Sequence, residues 1–188
     1  AAGAELPARQ EDLNINGHAF EARLYAEDVP AGFLPATGHI DHLVFSNAAR
    51  NDTGVRPLDD ISPFYDPMIA KVITHGKTRD EALNKLYHAL AQTEIVGVTT
   101  NIGFLTALCR HDDFAQGRVD TGLIERDTTA LIGPDEPPIE VVLSALMATY
   151  DPMDVPFAGF SQWGPIVQTV SMKRADQTYQ ARISYRAD

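Results

Sequence analysis

HAFEARLYAED, residues 18–28, alternates between two classes of side chain as a half-buried β-strand does. Successive side chains of a strand point to opposite faces of its sheet. Glu21 and Arg23 therefore share a polar face, and Ala22 and Leu24 share an apolar one. The pattern predicts a strand that packs one face on a core and leaves the other open, as strands of antiparallel sheets commonly do.

Further strands are predicted on the C-terminal side of this segment. Two prolines and two glycines in residues 30–38 favour a loop. HIDHLVF, residues 39–45, predicts a second strand, and the polar residues 46–54 predict a turn. The most apolar strand is predicted at residues 68–74.

Two helices are predicted after these strands. Residues 78–92 begin with a capping box formed by Thr78 and Glu81. One apolar stripe at spacings of three and four contains Ala82, Leu83, Leu86, Ala89 and Leu90. Either Thr100 or Asn101 is a suitable N-cap for the second helix. Strands followed by helices predict an α+β fold in which helices pack on an antiparallel sheet.

The composition changes after Arg126. Residues 128–138, TTALIGPDEPP, are typical of a linker. Residues 139–149 predict a helix that is apolar all round and should be buried on all sides. The remaining residues predict short strands with a turn at residues 175–176. This second part is predicted to be a truncated helix-plus-β-strands segment.

We therefore expect two domains, at residues 1–127 and 128–188. Residues 1–16 are predicted to be the tail of an upstream helix and loop, because Pro7 prevents the helix from continuing. The chain starts with Ala1 and not with methionine, so we expect it to be an internal piece of a longer protein.

Bulk composition limits the possible partners. Hydrophobic residues make up 44% of the 188 residues, as in ordinary soluble domains. The net charge of -11 disfavours nucleic acid and anionic membranes as partners. The sequence shows neither a membrane-length apolar run nor a signal peptide. We expect a soluble, reducing compartment: the bacterial cytoplasm or the mitochondrial matrix.

Two residues are candidates for binding chemistry. Arg23 is held on a strand, and a rigid guanidinium is suited to binding an oxyanion through two parallel hydrogen bonds. The alternative is a structural ion pair between Arg23 and Glu21. Asp66 precedes the most apolar strand and is either functional or part of an ordinary Asp-Pro turn.

Other reactive side chains are given structural interpretations. Cys109 lies in an apolar stretch and is expected to be buried and inert, because no local base could activate it. His39 and His42 are three residues apart in a predicted strand and would face opposite sides, so no metal site is predicted. The sequence contains neither glycine-rich phosphate-binding motif, G-x-x-x-x-G-K-[ST] or G-x-G-x-x-G.

Five segments, in order, resemble one known family. They are GHAFEARLYAED, GFLPATGHI, TGVRPLDDISPFYDPMIAKVITHGKTRDEAL, VTTNIGFL and FAQGRVDTGLIE. Over about residues 14–126 the chain resembles the biotin carboxylase C-terminal domain of acyl-CoA carboxylases. It is most similar to the α subunits of the branch that acts on 3-methylcrotonyl-CoA. Residues 128–188 resemble the start of that branch's linker domain, which holds the α and β subunits together.

The resemblance implies a ligase that uses ATP to activate bicarbonate and carboxylate biotin. It implies biotin, ATP and magnesium or manganese as cofactors. It also implies a biotin carrier domain in the same chain and a carboxyltransferase β subunit as partners. By motif position Arg23 contacts bicarbonate and stabilises the biotin enolate, Asp66 lies by the biotin pocket, and Arg56 is an interface residue.

The family's ATP-binding and metal-binding residues are expected to precede Ala1, and its biotinylation motif to follow Asp188. The 188 residues alone are therefore expected to be inactive. One alternative is an assembly module that docks the carboxyltransferase subunit, with Arg23 as a structural ion pair. Another is a different ATP-grasp ligase, against which the FLPATG and YDPMIAK segments argue. Propionyl-, acetyl- and geranyl-CoA remain open as the acyl substrate.

Overall fold

The computed structural model describes residues 3–133, 137–148, 167–174 and 177–184. Its contacts divide the chain into two compact units, Ala1–Gly133 and Pro134–Asp188. In the described ranges no helix is both long enough and apolar enough to cross a membrane.

The first unit combines short strands with helices. Its strands are β1 (His18–Tyr25), β2 (Glu27–Asp28), β3 (Leu34–Pro35), β4 (Gly38–His39), β5 (His42–Val44), β6 (Arg50–Thr53), β7 (Asp60–Ile61), β8 (Met68–Gly76) and β9 (Glu94–Val96). Its helices are a 3-10 turn (Gln10–Asp12), α1 (Arg79–Ala91), α2 (Ile102–Cys109), α3 (Asp112–Ala115), α4 (Leu123–Arg126) and α5 (Thr128–Ile132). This mixture confirms the predicted α+β fold.

Strand β8 is the centre of a three-stranded antiparallel sheet with the order β1–β8–β6. Its apolar residues Ile69 and Val72 are fully buried, as the apolar sequence of this strand predicts. In β1, Ala22 and Leu24 are buried, whereas Glu21 and Arg23 are exposed, so the predicted alternation is confirmed. The smaller ladders pair β2 with β3, β4 with β7, and β5 with β9.

Helix α1 covers the apolar face of this sheet. Every residue of the predicted stripe is buried, from Ala82 to Leu90. The Thr78 hydroxyl accepts the Glu81 N–H at 3.2 Å, as predicted for an N-cap. The Glu81 carboxylate accepts the N–H of Lys77 instead of that of Thr78, so only half of the predicted capping box forms.

Two predicted segments differ from the structure. Residues 50–53 form strand β6 where a turn was predicted, because these polar residues pair with the free edge of β8. The predicted strand at residues 39–45 is split into β4 and β5, which pair with different partners. The split occurs where Ile40 donates its N–H to Asp59 and Asp41 donates its N–H to Val96.

The predicted linker also begins with ordered structure. Residues Thr128–Ile132 form α5, and Leu131 is buried against Val29, Phe104 and Leu123. These five residues therefore pack within the first unit, because burial of Leu131 and packing of Ile132 remove apolar surface from water.

The second unit contains helix α6 (Ile139–Ala148) and an antiparallel hairpin of β10 (Val167–Arg174) and β11 (Gln177–Ser184). Val142 and Leu146 are buried in a cluster with Val170 of the hairpin. The prediction that α6 is buried on all sides is wrong for the described residues, since the hairpin covers one face only. Ile139, Val141, Leu143 and Met147 are exposed. The predicted turn at residues 175–176 lies outside the described residues.

Arg79 connects α1 to α3 and β1. Its guanidinium donates to the carbonyl of Phe114 at 2.7 Å and to that of Ala115 at 3.2 Å. The same guanidinium lies 4.8 Å from the centre of the Phe20 ring. One half-buried cation thus satisfies two carbonyls at the end of α3 and contacts an aromatic face.

We expect Arg79→Ala to lower the free energy of unfolding by about 2 kcal/mol, because hydrogen bonds from a charged donor are among the stronger ones. Denaturant titration of the 188-residue chain, followed by circular dichroism, measures this change. The control is Arg50→Ala, which removes an exposed ion pair with Asp52 and should have a much smaller effect. Equal losses in the two variants would contradict the prediction.

Candidate functional site

The candidate site lies where β1 ends. Leu24 pairs with Ala70 and Tyr25 pairs with Met68, so Ile69 is an extra residue in β8 and forms a β-bulge. A bulge bends the strand and changes the direction of the side chains beside it. Arg23 lies directly before this bulge, on the exposed face of β1.

The guanidinium of Arg23 is 60% exposed and has acidic and aromatic neighbours. Its Nε lies 3.6 Å from Oε1 of Glu21, which is the ion pair considered as the structural alternative for Arg23. The Tyr25 side chain, followed by the Glu21 carboxylate, raises the pKa of Arg23. An ion pair this exposed stabilises the fold only weakly, so Arg23 remains accessible to an anionic ligand.

Lys71 is a second cation at this place, and sequence reasoning missed it. It lies directly opposite Arg23 on β8, and its Nζ is 3.9 Å from the same Glu21 oxygen. Asp52 on β6 lies directly opposite Lys71. Arg50, and more weakly Lys71, lower the pKa of Asp52. Arg23, Lys71 and Asp52 thus form a row of charges across the three strands.

Asn101 is a second residue whose contacts at this site could not be foreseen from the sequence. It was predicted as a possible N-cap and does precede α2, but its side chain makes no capping hydrogen bond. Its Oδ1 accepts the Tyr25 N–H at 3.0 Å, and its Nδ2 donates to the Arg23 carbonyl at 3.2 Å. No local pattern in the sequence could reveal these contacts.

Asp66 lies close to the same strand end. Its Oδ1 accepts the Met68 N–H at 3.1 Å, which is the turn chemistry expected of an aspartate before proline. Burial raises the pKa of Glu27, and the charge of Asp66 raises it further, so the two carboxylates are neighbours. The structure therefore brings Asp66 near the segment that carries Arg23.

Arg56 lies elsewhere on the surface. Its N–H donates to the Asp59 carboxylate at 2.8 Å, and the Asp59 N–H donates back to the Arg56 carbonyl. The residue is exposed, and its side chain makes no ion pair within the described residues. This geometry makes the side chain available for contact with another surface.

A cavity of about 280 Å³ opens beside Arg23. Glu27 and Asn101 line its polar part, and Leu105, Cys109 and Phe114 are among its apolar lining residues. Cys109 is buried, as predicted. The cavity is therefore lined by charged and polar side chains together with apolar ones.

His39 and His42 each pair with a separate carboxylate. His39 lies 2.9 Å from Asp60, and His42 lies 2.7 Å from Glu94. Across the described ranges, no group of three or more His, Cys, Asp or Glu side chains could hold a metal ion.

Residues 21–126 match the family model of the biotin carboxylase C-terminal domain, which covers more than half of the 188 residues. The chain belongs to this family. The resemblance seen in the sequence motifs is therefore confirmed. The matched region of this biotin carboxylase C-terminal domain contains Arg23, Lys71, Asp66 and Asn101.

Two plant proteins are similar to this chain. The mitochondrial methylcrotonoyl-CoA carboxylase subunit alpha of Arabidopsis thaliana is 46% identical over 141 residues, which is 73% of this chain and 19% of that protein. The subunit of the same name from Oryza sativa subsp. japonica is 52% identical over 129 residues, 67% of this chain and 18% of that protein. The chain thus spans about a fifth of the length of these relatives.

A solved structure has the same fold. The biotin carboxylase domain dimer of Hydrogenobacter thermophilus 2-oxoglutarate carboxylase was determined with MgADP, ADP and bicarbonate. It aligns with a TM-score of 0.68 and 31% identity, over 71% of this chain and 30% of that one.

Burial raises the pKa of the Cys109 thiol from an ordinary value of 9.0 to about 11. At pH 8 such a thiol forms about 100-fold less of the nucleophilic thiolate. We therefore expect iodoacetamide to modify Cys109 at least ~100-fold more slowly in the folded chain than in urea, as followed by mass spectrometry. Similar rates in both conditions would contradict the prediction.

Proposed function

We propose that this domain supplies the cationic wall of a biotin carboxylase site, with Arg23 as its catalytic residue. The observation that carries the proposal is the pair of cations, Arg23 and Lys71, directly opposite each other on an exposed sheet face. A rigid guanidinium beside an ammonium suits a small oxyanion or a developing enolate. Family membership and the bicarbonate in the solved relative support this assignment.

In the proposed reaction, ATP phosphorylates bicarbonate to carboxyphosphate and leaves as ADP, and carboxyphosphate then breaks down to phosphate and carbon dioxide. The released phosphate takes up the N1′ proton of biotin, and N1′ then forms a bond to the carbon of carbon dioxide. Arg23 binds the bicarbonate and then stabilises the negative charge on the biotin ureido oxygen. A fixed donor of this kind acts because it needs no reorganisation when the charge appears.

Asp66 and Arg56 have separate proposed roles. Asp66 would line the biotin pocket, since its charge acts on Glu27, which lines the cavity next to Arg23. Arg56 would contribute to an interface, since its exposed guanidinium is free of ion pairs in the described residues. The related domain from Hydrogenobacter thermophilus is described as a dimer.

The other components of the proposed reaction would be supplied by other domains and by a second subunit. We propose biotin on a carrier domain of the same chain, ATP with magnesium or manganese bound outside these residues, and a carboxyltransferase β subunit. The names of the plant relatives support 3-methylcrotonyl-CoA as the acyl substrate. They also support the mitochondrial matrix as the location in a eukaryote; the cytoplasm would be the location in a bacterium.

In the full-length enzyme, Arg23→Ala should lower biotin-dependent turnover by roughly 100- to 1000-fold, the usual effect of removing one oxyanion donor. ADP formation coupled to biotin carboxylation measures the change. Size-exclusion chromatography with the β subunit should show normal assembly. The matched control is Arg50→Ala, on an exposed strand of the same sheet.

The same variant tests the alternative function as an assembly module. The exposed apolar residues of α6, such as Val141 and Leu143, favour a docking role for the second unit. If Arg23→Ala disrupts the complex with the β subunit and leaves biotin carboxylation by free α subunit unchanged, the catalytic role is wrong and the assembly role gains support.

We also expect the purified 188 residues to cleave no ATP when bicarbonate and biotin are added. The described residues offer no metal-holding cluster, and the sequence has no glycine-rich phosphate loop. A coupled ADP assay measures this, with the full-length enzyme as the positive control. Biotin-dependent ADP production by the short chain would show that the prediction is wrong.

A further inference from the structure

Asn101 is buried at the start of α2, yet its side chain hydrogen-bonds to strand β1. It precedes α2, where asparagine usually accepts a hydrogen bond from the first turn of its helix. Here no such bond forms, and the amide extends to β1. Placing an amide in a buried position is favourable only when its donor and acceptor are satisfied, and both are satisfied by β1.

Three hydrogen bonds of Asn101 hold the backbone of Arg23 and Tyr25. Its Oδ1 accepts the N–H of Tyr25 at 3.0 Å, and its Nδ2 donates to the carbonyl of Arg23 at 3.2 Å. Its own N–H donates to the carbonyl of Tyr25 at 3.1 Å. The backbone on both sides of Leu24 is therefore fixed by one residue that lies more than 70 positions away in the sequence.

This support is needed at this place in the sheet. In the described sheet β1 is an outer strand, so one row of its backbone groups has no neighbouring strand. The β-bulge at Leu24 and Tyr25 also interrupts the regular pairing with β8. Asn101 supplies the missing partners where both weaknesses coincide.

We infer that Asn101 is a positioning residue, which holds the backbone of Arg23 so that the guanidinium meets the biotin ureido oxygen in a fixed orientation. This inference rests on the proposed function. Asn101 touches no reacting group itself. It acts because a small displacement of a catalytic side chain costs far more in rate than in stability.

The test uses the full-length enzyme and the substitution Asn101→Ser. Serine is well tolerated before the first turn of a helix but is too short to bridge Arg23 and Tyr25. We expect kcat/KM for biotin to fall by about 10- to 100-fold, while KM for ATP stays unchanged. The matched control is Asn84→Ala on the exposed face of α1, which should have wild-type kinetics.

A double-mutant cycle with Arg23→Ala separates positioning from general structural damage. If Asn101 acts through Arg23, Asn101→Ser should cause no further loss of turnover in the Arg23→Ala background. Hydrogen exchange of the peptide containing Tyr25 should also become faster in Asn101→Ser. This exchange measurement remains informative if activity is too low to measure.

Three results would overturn the inference. The first is a wild-type kcat/KM for biotin in Asn101→Ser, and the second is a loss of turnover by Asn101→Ser in the Arg23→Ala background as large as in the wild-type background. The third is a rise in KM for ATP by the same factor as the fall in kcat/KM for biotin. Unchanged turnover in Arg23→Ala alone would refute the proposed role of Arg23, and with it the inference. Failure of the inference alone appears as an inactive Arg23→Ala beside a fully active Asn101→Ser.

Discussion

The antiparallel ladder between β1 and β8 is the constraint on which the rest of the first unit depends. Its register places Ala22 opposite Val72 in the core and Arg23 opposite Lys71 on the exposed face. A shift of one residue would exchange the two faces. Leu24, which is fully buried, would then face solvent, and Arg23 would enter the core. Burial of a few aliphatic side chains therefore decides where the guanidinium points.

Local sequence patterns were sufficient to predict β1 and α1 but not to predict β6. The alternation in β1 and the stripe in α1 reflect burial of a continuous face, and such a face leaves its period in the sequence. Residues 50–53, RNDT, carry no such period. They form a strand because β8 offers a free edge, which is a property of the partner. Similarly, α6 was expected to be buried all round because its composition does not show that the hairpin covers only one face.

Only part of the candidate site could be predicted from the sequence, because local patterns do not show which distant residues come together. Arg23 could be selected because its strand and its rigid charge follow from the local sequence. Lys71 and Asn101 could not, since their proximity to Arg23 depends on the register of β8 and on the approach of α2. Both residues are separated from Arg23 by more distance along the chain than any periodicity can detect.

Arg23 and Lys71 bring two positive charges together in a chain that is acidic as a whole. The sequence has a net charge of -11, yet two cations lie directly opposite each other on adjacent strands. Like charges in this position destabilise a sheet, and here Glu21 lies near both cations and offsets part of the repulsion. An arriving anion could take over that role, so the same repulsion that weakens the free protein would strengthen its binding.

Three of the segments that carry the family resemblance meet near Arg23: EARLYAED through Arg23 itself, YDPMIAK through Lys71, and VTTN through Asn101. Their shared position gives a physical reason why these separated motifs occur together.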